Sequence, residues 1–273
     1  MLSEYLEQLR QSAPRIHCIT NHVTSNDVAN LLLALGAKPI MAQDEQETAQ
    51  VAAACNGLML NMGTPDSARM RAMLAAGHRA NELGLPVVLD PVGVGASDFR
   101  KLWAKQLMDQ LSFTAIRGNL SEIRTLAGLH TEASGVDVSE RDRVSADQLP
   151  ETAAWLQELC RRWNTILVVS GEIDLVCDSR RCFAVWNGDA MMQSVTGTGC
   201  QLTAMLTAFL AANRQQPLEA ALAAVCMMGL SGEIAHSRLL PGEGSGTYRS
   251  RMLDAAFCME GAGLEQGAKY ELQ

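Results

Sequence analysis

From Gly57 to Gly128 short apolar runs alternate with longer amphipathic ones, and this alternation restricts the fold more than any other feature of the chain. Gly57–Asn61, Pro86–Asp90 and Phe113–Ile116 are apolar at nearly every position, so a strand built from any of them has two faces to cover. A parallel sheet between two layers of helices covers both. Ser67–Leu83 and Phe99–Leu111 read as intervening helices, the first stopped by Gly84. Leu120–Ala127 reads as a shorter helix stopped by Gly128. The fold class expected is α/β: three αβα layers around a mainly parallel central sheet with helices on both faces.

The flanks extend the pattern. A helix over 3–12 leads to a strand over Arg15–Thr20, a polar turn over Asn21–Asp27 and a helix over Val28–Leu35 that stops at Gly36. An extended piece at 38–42 and a helix at 45–54 follow. Past Ala153–Trp163 (helix) and Thr165–Ser170 (strand), the runs Asp174–Cys177 and Cys182–Trp186 alternate like a hairpin, which would add antiparallel strands at one edge. Helices are expected over Leu202–Ala212, Pro217–Leu239 and Tyr248–Glu260. Residues 130–148 break the rhythm and read as a surface excursion or part of a flap. Without repeats or linkers, 1–273 reads as a single domain.

A formal net charge of -8 and the lack of a basic stretch argue against nucleic acid as a partner. No run of apolar residues is long and unbroken enough to indicate a membrane span, and the acidic, amphipathic start does not resemble a signal peptide. Eight scattered cysteines without a C-x-x-C pair point to reduced, mostly core thiols, a cytoplasmic location and no zinc.

Ligands of open α/β sheets bind beyond the carboxyl ends of the strands. In this chain those ends are polar: Asn61-Met62-Gly63, Asp90-Pro91-Val92-Gly93, Arg117-Gly118-Asn119, Ser170-Gly171-Glu172 and Thr196-Gly197-Thr198. The last opens Val195-Thr196-Gly197-Thr198-Gly199-Cys200, a small-residue loop running into an apolar helix. Its glycines leave backbone N–H groups uncovered at a helix N-terminus, a combination that attracts phosphate. No Gly-Lys-Ser/Thr follows, so it is not a Walker loop, and it lies too late in the chain for a dinucleotide fingerprint. Cys200, in or near the first helical turn, is placed where a thiol ionises more easily. Asp90 could bind Mg²⁺ or cap the next loop. Asn119 and Glu122 have the spacing of a capping box, but Arg117 just upstream makes the same group read as a Mg²⁺–nucleotide corner. Ser170 could meet a nucleotide phosphate or simply end a strand. His17 and His22 read as turn or core histidines, and Met191-Met192 and Met227-Met228 as packing.

Five segments in this order resemble the hydroxyethylthiazole kinase family of the ribokinase-like superfamily: Cys18-Ile19-Thr20-Asn21-His22-Val23-Thr24, Ile40-Met41-Ala42, Leu89-Asp90-Pro91-Val92-Gly93, Arg117-Gly118-Asn119-Leu120-Ser121-Glu122-Ile123 and Val195–Cys200. The resemblance implies ATP-dependent phosphorylation of the alcohol of 4-methyl-5-(2-hydroxyethyl)thiazole, with Mg²⁺, by a homotrimer whose substrate site lies at a subunit boundary. It puts Met41 and Gly197 against the thiazole, with Asn21 and Val23 as further contacts. It puts Arg117 and Ser170 on ATP. The residues themselves add Asn119 to the nucleotide, Asp90 and Glu122 to the metal, and Cys200 with Gly197 and Gly199 to the transferring phosphoryl group. The wider superfamily usually has Asp where Cys200 stands. Other readings left open are a kinase for hydroxymethylpyrimidine or pyridoxal, an ATP-dependent repair dehydratase, and a non-catalytic thiazole sensor.

Overall fold

A computed structural model of the chain describes residues 1–129 and 148–273. The region expected to form a surface excursion or flap, 130–148, lies almost wholly outside the described residues. One nine-stranded sheet organises the rest, in the order β2-β1-β3-β4-β5-β6-β7-β8-β9. Its strands are β1 (Arg15–Ile19), β2 (Lys38–Ile40), β3 (Gly57–Asn61), β4 (Val87–Asp90), β5 (Ala115–Asn119), β6 (Ile166–Ser170), β7 (Asp174–Cys177), β8 (Cys182–Val185) and β9 (Tyr270–Leu272). Pairing is parallel from β2 through β6. It turns antiparallel from β6 to β9, so the hairpin expected at the edge is present and a third antiparallel strand extends it.

The period-two geometry of strands divides the apolar residues between two cores. Met59, Val88, Ala115 and Val168 face one helical layer. Their neighbours Leu58, Leu60, Val87, Leu89, Ile116, Leu167 and Val169 face the other. On the first face lie α1 (Leu2–Ser12), α2 (Ser25–Leu35), α8 (Thr198–Ala212), α9 (Pro217–Ser237) and α10 (Ser245–Cys258). On the second lie α4 (Ser67–Glu82), α5 (Asp98–Gln110), α6 (Leu120–Leu126) and α7 (Leu149–Trp163). Among the described residues the other α-helices are α3 (Glu45–Ala53), packed on α4, and α11 (Gly261–Gly267), packed on α1. α11 and β9 give no clear signal in the sequence.

α8 is apolar around most of its circumference because it lies between the sheet and a second rank of helices. It touches β1, β3 and β4 on one side and α1, α2 and α9 on the other. α9 is long and apolar enough to cross a membrane by length and composition, yet 83% of its apolar window is buried inside the protein.

Two expectations are corrected. α8 begins at Thr198 rather than at residue 202, which places Gly199 and Cys200 inside the first turn. The cysteines are not all free thiols. Cys177 and Cys182 face each other across the β7–β8 hairpin with Cα atoms 4.0 Å apart and are joined as a disulfide, a pairing set by strand register that linear spacing does not reveal.

Phe209, fully buried near the C-terminal end of α8, is the largest side chain filling the first core from that helix. Phe209→Ala is expected to destabilise the fold by about 3–5 kcal/mol, read as a lower denaturation midpoint with unchanged slope.

Candidate active site

The carboxyl ends of β1, β3, β4, β5 and β6 converge on the first turn of α8. Gly197 caps that helix with φ 87, a left-handed conformation natural only to glycine. A Cβ built there would stand 2.5 Å from Thr24 Cγ2, so the Asn21–Thr24 turn packs directly on the loop. The first bond of the helical ladder runs from Gln201 N–H to the Gly197 carbonyl. The amides of Thr198, Gly199 and Cys200 precede it and have no intrahelical acceptor. A Cβ on Gly199 would fall 2.4 Å from Arg117 Nη1, so the guanidinium lies against bare backbone.

Asp90 ends β4 fully buried. Its Oδ2 accepts from Asn61 Nδ2 and Thr203 Oγ1, both at 2.8 Å. Its Oδ1 has no hydrogen-bond partner and lies 3.9 Å from Arg117 Nη1. Burial pushes the carboxyl pKa up, and Arg117, Thr203 and Asn61 pull it back toward the ionised form. Arg117, on β5, donates through Nη2 to Ser170 Oγ at 2.6 Å, a contact that the pairing of Asn119 with Ser170 in neighbouring strands brings within reach.

Glu122 and Asn119 do form a capping box. Asn119 Oδ1 accepts from Glu122 N at 2.8 Å, and Glu122 Oε2 accepts from Asn119 N at 2.9 Å. Glu122 Oε1 also accepts from Gly93 N at 2.8 Å, so the box is stitched to the loop leaving β4. Burial raises the Glu122 pKa and the charge of Asp90 adds to the rise, while these amides oppose it. Arg100 braces the same loops by donating to Val92 O at 2.7 Å and Met62 O at 3.1 Å.

Asn61 stands among the polar strand ends in the sequence but carries no assigned role there. Fully buried at the end of β3, it donates to Asp90 and, at 3.2 Å, to Cys200 Sγ. Its Oδ1 accepts from Gly63 N at 2.9 Å and Asn21 Nδ2 at 3.1 Å. Asn21 Nδ2 also reaches Cys200 Sγ, at 3.4 Å. The available signal was an amide closing an otherwise apolar strand. Thr203, one turn after Gly199, was missed because it looks like part of an apolar helix.

The expected thiol activation is not what the structure shows. Burial pushes the Cys200 pKa up and the Asp90 charge pushes it further, outweighing the opposing Thr24 hydrogen bond, Arg117 charge and Asn61 hydrogen bond. Among the residues expected at the site, Asp90, Arg117, Ser170, Asn21, Gly197, Gly199 and Cys200 come together, with Asn119 and Glu122 at the margin through Gly93. Met41 is partly buried against the first core. Val23 is 63% exposed and turned outward, away from its buried neighbour Asn21. Chemically, the group offers a buried carboxylate oxygen, a cation, unpaired helix amides and a thiol around one point.

The family model described as the hydroxyethylthiazole kinase family matches residues 6–260. A hydroxyethylthiazole kinase from Clostridium acetobutylicum is 43% identical over 271 residues, with 99% of each chain covered. The solved structure of hydroxyethylthiazole kinase from Pyrococcus horikoshii OT3 superposes with a TM-score of 0.86 at 34% identity, covering 100% of this chain and 98% of that one. A pyridoxal kinase from Staphylococcus aureus, solved with AMP-PCP and pyridoxal, shares the ribokinase-like fold alone: TM-score 0.59 at 17% identity, with 95% and 98% of the two chains covered.

Asp174, which opens β7 beside this site, has its pKa raised from 3.8 to about 6, mainly by burial, with its bond from Gly171 N and the charge of Arg117 opposing. Between those values the folded chain holds a proton that the unfolded chain has lost, so this stabilisation is present at low pH and disappears as pH rises through about 6. Asp174→Asn keeps the acceptor for Gly171. It is expected to raise the melting midpoint at pH 7 and leave it unchanged at pH 4. Equal shifts at both pH values in thermal scans would contradict the titration of this carboxyl.

Proposed function

The chain belongs to the hydroxyethylthiazole kinase family, and from that premise we propose that it transfers the γ-phosphoryl group of ATP to the hydroxyl of 4-methyl-5-(2-hydroxyethyl)thiazole, in salvage toward thiamine phosphate. The observation carrying this reading is the first turn of α8, where unpaired amides, the Arg117 guanidinium and the Cys200 thiol meet over the buried Asp90.

In the mechanism we infer, ATP enters with its phosphates on Arg117, Ser170 and the start of α6, and the alcohol lies between Met41, Asn21 and Gly197. The amides of residues 197–200 neutralise charge spreading over the equatorial oxygens of a loose transition state. Mg²⁺ fits the oxygen donors present: Asp90 Oδ1 is buried without a partner, and Glu122 stands close enough to feel the Asp90 charge. Both Glu122 oxygens are engaged by backbone amides, so it would hold the cation through water, with Asp90 and phosphate oxygens completing the oxygen set that Mg²⁺ prefers. Bound there, the ion would offset phosphate charge. Cys200 sits at the acceptor side. A loose transition state asks little of a base, so a thiol with a raised pKa is compatible with turnover. Val23, exposed and apolar beside Asn21, leaves room for a neighbouring subunit at the substrate site, and the homotrimer and cytoplasmic location rest on the family reading.

Purified protein with ATP, Mg²⁺ and the thiazole alcohol is expected to yield ADP and the phosphorylated alcohol by phosphorus NMR. Free phosphate, or turnover only with hydroxymethylpyrimidine or pyridoxal, would overturn the reading. Cys200→Ala is expected to lower kcat about 10- to 100-fold with ATP affinity within about twofold, whereas Cys200→Asp keeps or raises kcat. Loss of ATP affinity in Cys200→Ala, measured by calorimetry, would contradict the placement. Arg117→Ala is expected to raise the KM for ATP about tenfold or more. Glu122→Gln instead lowers the rate and raises the Mg²⁺ needed for half-maximal activity. Interchanged phenotypes in separate ATP and Mg²⁺ titrations would refute both roles.

A further inference from the structure

The four hydrogen-bonding positions of the Asn61 side chain are all occupied, and their chemistry leaves no freedom in its orientation. Gly63 N–H is a donor, so the atom facing it must be Oδ1. Asp90 Oδ2 faces the other end, which must be Nδ2. Asn21 is fixed in the same way: its oxygen accepts from Thr24 N at 3.1 Å, so its NH₂ group faces Asn61 Oδ1 and Cys200. Two amide nitrogens that can only donate therefore converge on one sulfur, at 3.2 and 3.4 Å.

We propose that Asn61 and Asn21 form a two-amide clamp that holds Cys200 Sγ as a hydrogen-bond acceptor, making Asn61 the positioning residue that fixes Cys200 relative to Asp90. Cβ and two N–H groups occupy three sides of the sulfur, so the S–H hydrogen is left with the fourth. The Thr24 side chain is a further hydrogen-bonding neighbour of the sulfur, so the neutral thiol turns its hydrogen toward Thr24 in the free protein, and an acceptor alcohol or phosphoryl oxygen would compete with Thr24 for it. Asn61 also insulates. Its Nδ2 carries two hydrogens and no basic lone pair, so a proton on Cys200 has no path through it to Asp90. The clamp is built equally for an anion at this position, since amide donors favour charge on the group they face.

The kinetic consequence rests on the proposed kinase activity; the clamp itself does not. The test has two parts. In the first, the S–H stretching band of Cys200 is isolated as the infrared difference between wild type and Cys200→Ala without nucleotide. The same difference is taken in the Asn61→Leu and Asn21→Ala backgrounds. The band is expected to shift in both backgrounds. Asn21→Ala leaves the bond to Asp90 intact and serves where Asn61→Leu does not fold. A band unmoved in the folded variants overturns the clamp, whether or not the protein turns over thiazole.

In the second part, Asn61→Leu is expected to lower kcat about tenfold or more in wild type and less than about threefold in the Cys200→Ala background. The KM for ATP should stay within about twofold. Equal losses in the two backgrounds would show that Asn61 acts only through Asp90 or the fold, and would overturn its positioning role. An absence of kinase activity in the wild type, with the band shifts present, would instead refute the proposed function and leave the clamp standing.

Discussion

A fully buried carboxylate under a helix N-terminus is the constraint to which the rest of the site answers. Asp90 cannot be ionised inside the protein without compensation. The sheet and α8 supply it from three directions: an amide from β3, a hydroxyl from α8 and a guanidinium from β5. Each donor has its own support. Asn61 is held by Gly63 and Asn21, Arg117 by Ser170, and Thr203 stands on a helix whose cap only glycine can form without strain. The site's geometry is therefore a consequence of charge compensation around one residue, and one oxygen of that residue is still left without a hydrogen bond, with only the Arg117 guanidinium 3.9 Å away.

Much of this architecture was legible in the sequence. The strands from Gly57 to Ser170 declare themselves because apolar residues on both faces leave a parallel sheet as the natural arrangement, and the alternating runs around Asp178 announce the antiparallel edge. Helix starts were less visible. Thr198, Gly199 and Cys200 look like loop because all three residue types have low helix propensity, but the turn of Asn21–Thr24 and the guanidinium of Arg117 close on them and tertiary packing overrides propensity. The Cys177–Cys182 bond was hidden for another reason: it depends on which residues a hairpin places opposite one another.

The candidate site was legible where charge stands at a strand end, as with Asp90 and Arg117. It was opaque where neutral side chains do the linking. Asn61 and Thr203 carry no charge and no motif, and their importance comes from the partners that the fold brings to them. Glu122 shows how one residue can satisfy two readings. It is a true helix cap with both oxygens on backbone amides, and it is close enough to Asp90 for that charge to disfavour its ionisation. Capping fixes the carboxylate, and a fixed carboxylate is what a water-mediated ion contact requires.

The two margins of the sheet bear on how copies of this chain can associate. At one end, β2 is three residues long with Pro39 in its middle, which has no N–H to offer an incoming strand. At the other, β9 is equally short and pairs antiparallel with β8. Neither margin provides a long template for strand addition, so continuous sheets between molecules are disfavoured. Any association between copies would then use helix faces and loops, the elements that also shape the rim around Asn21 and Val23.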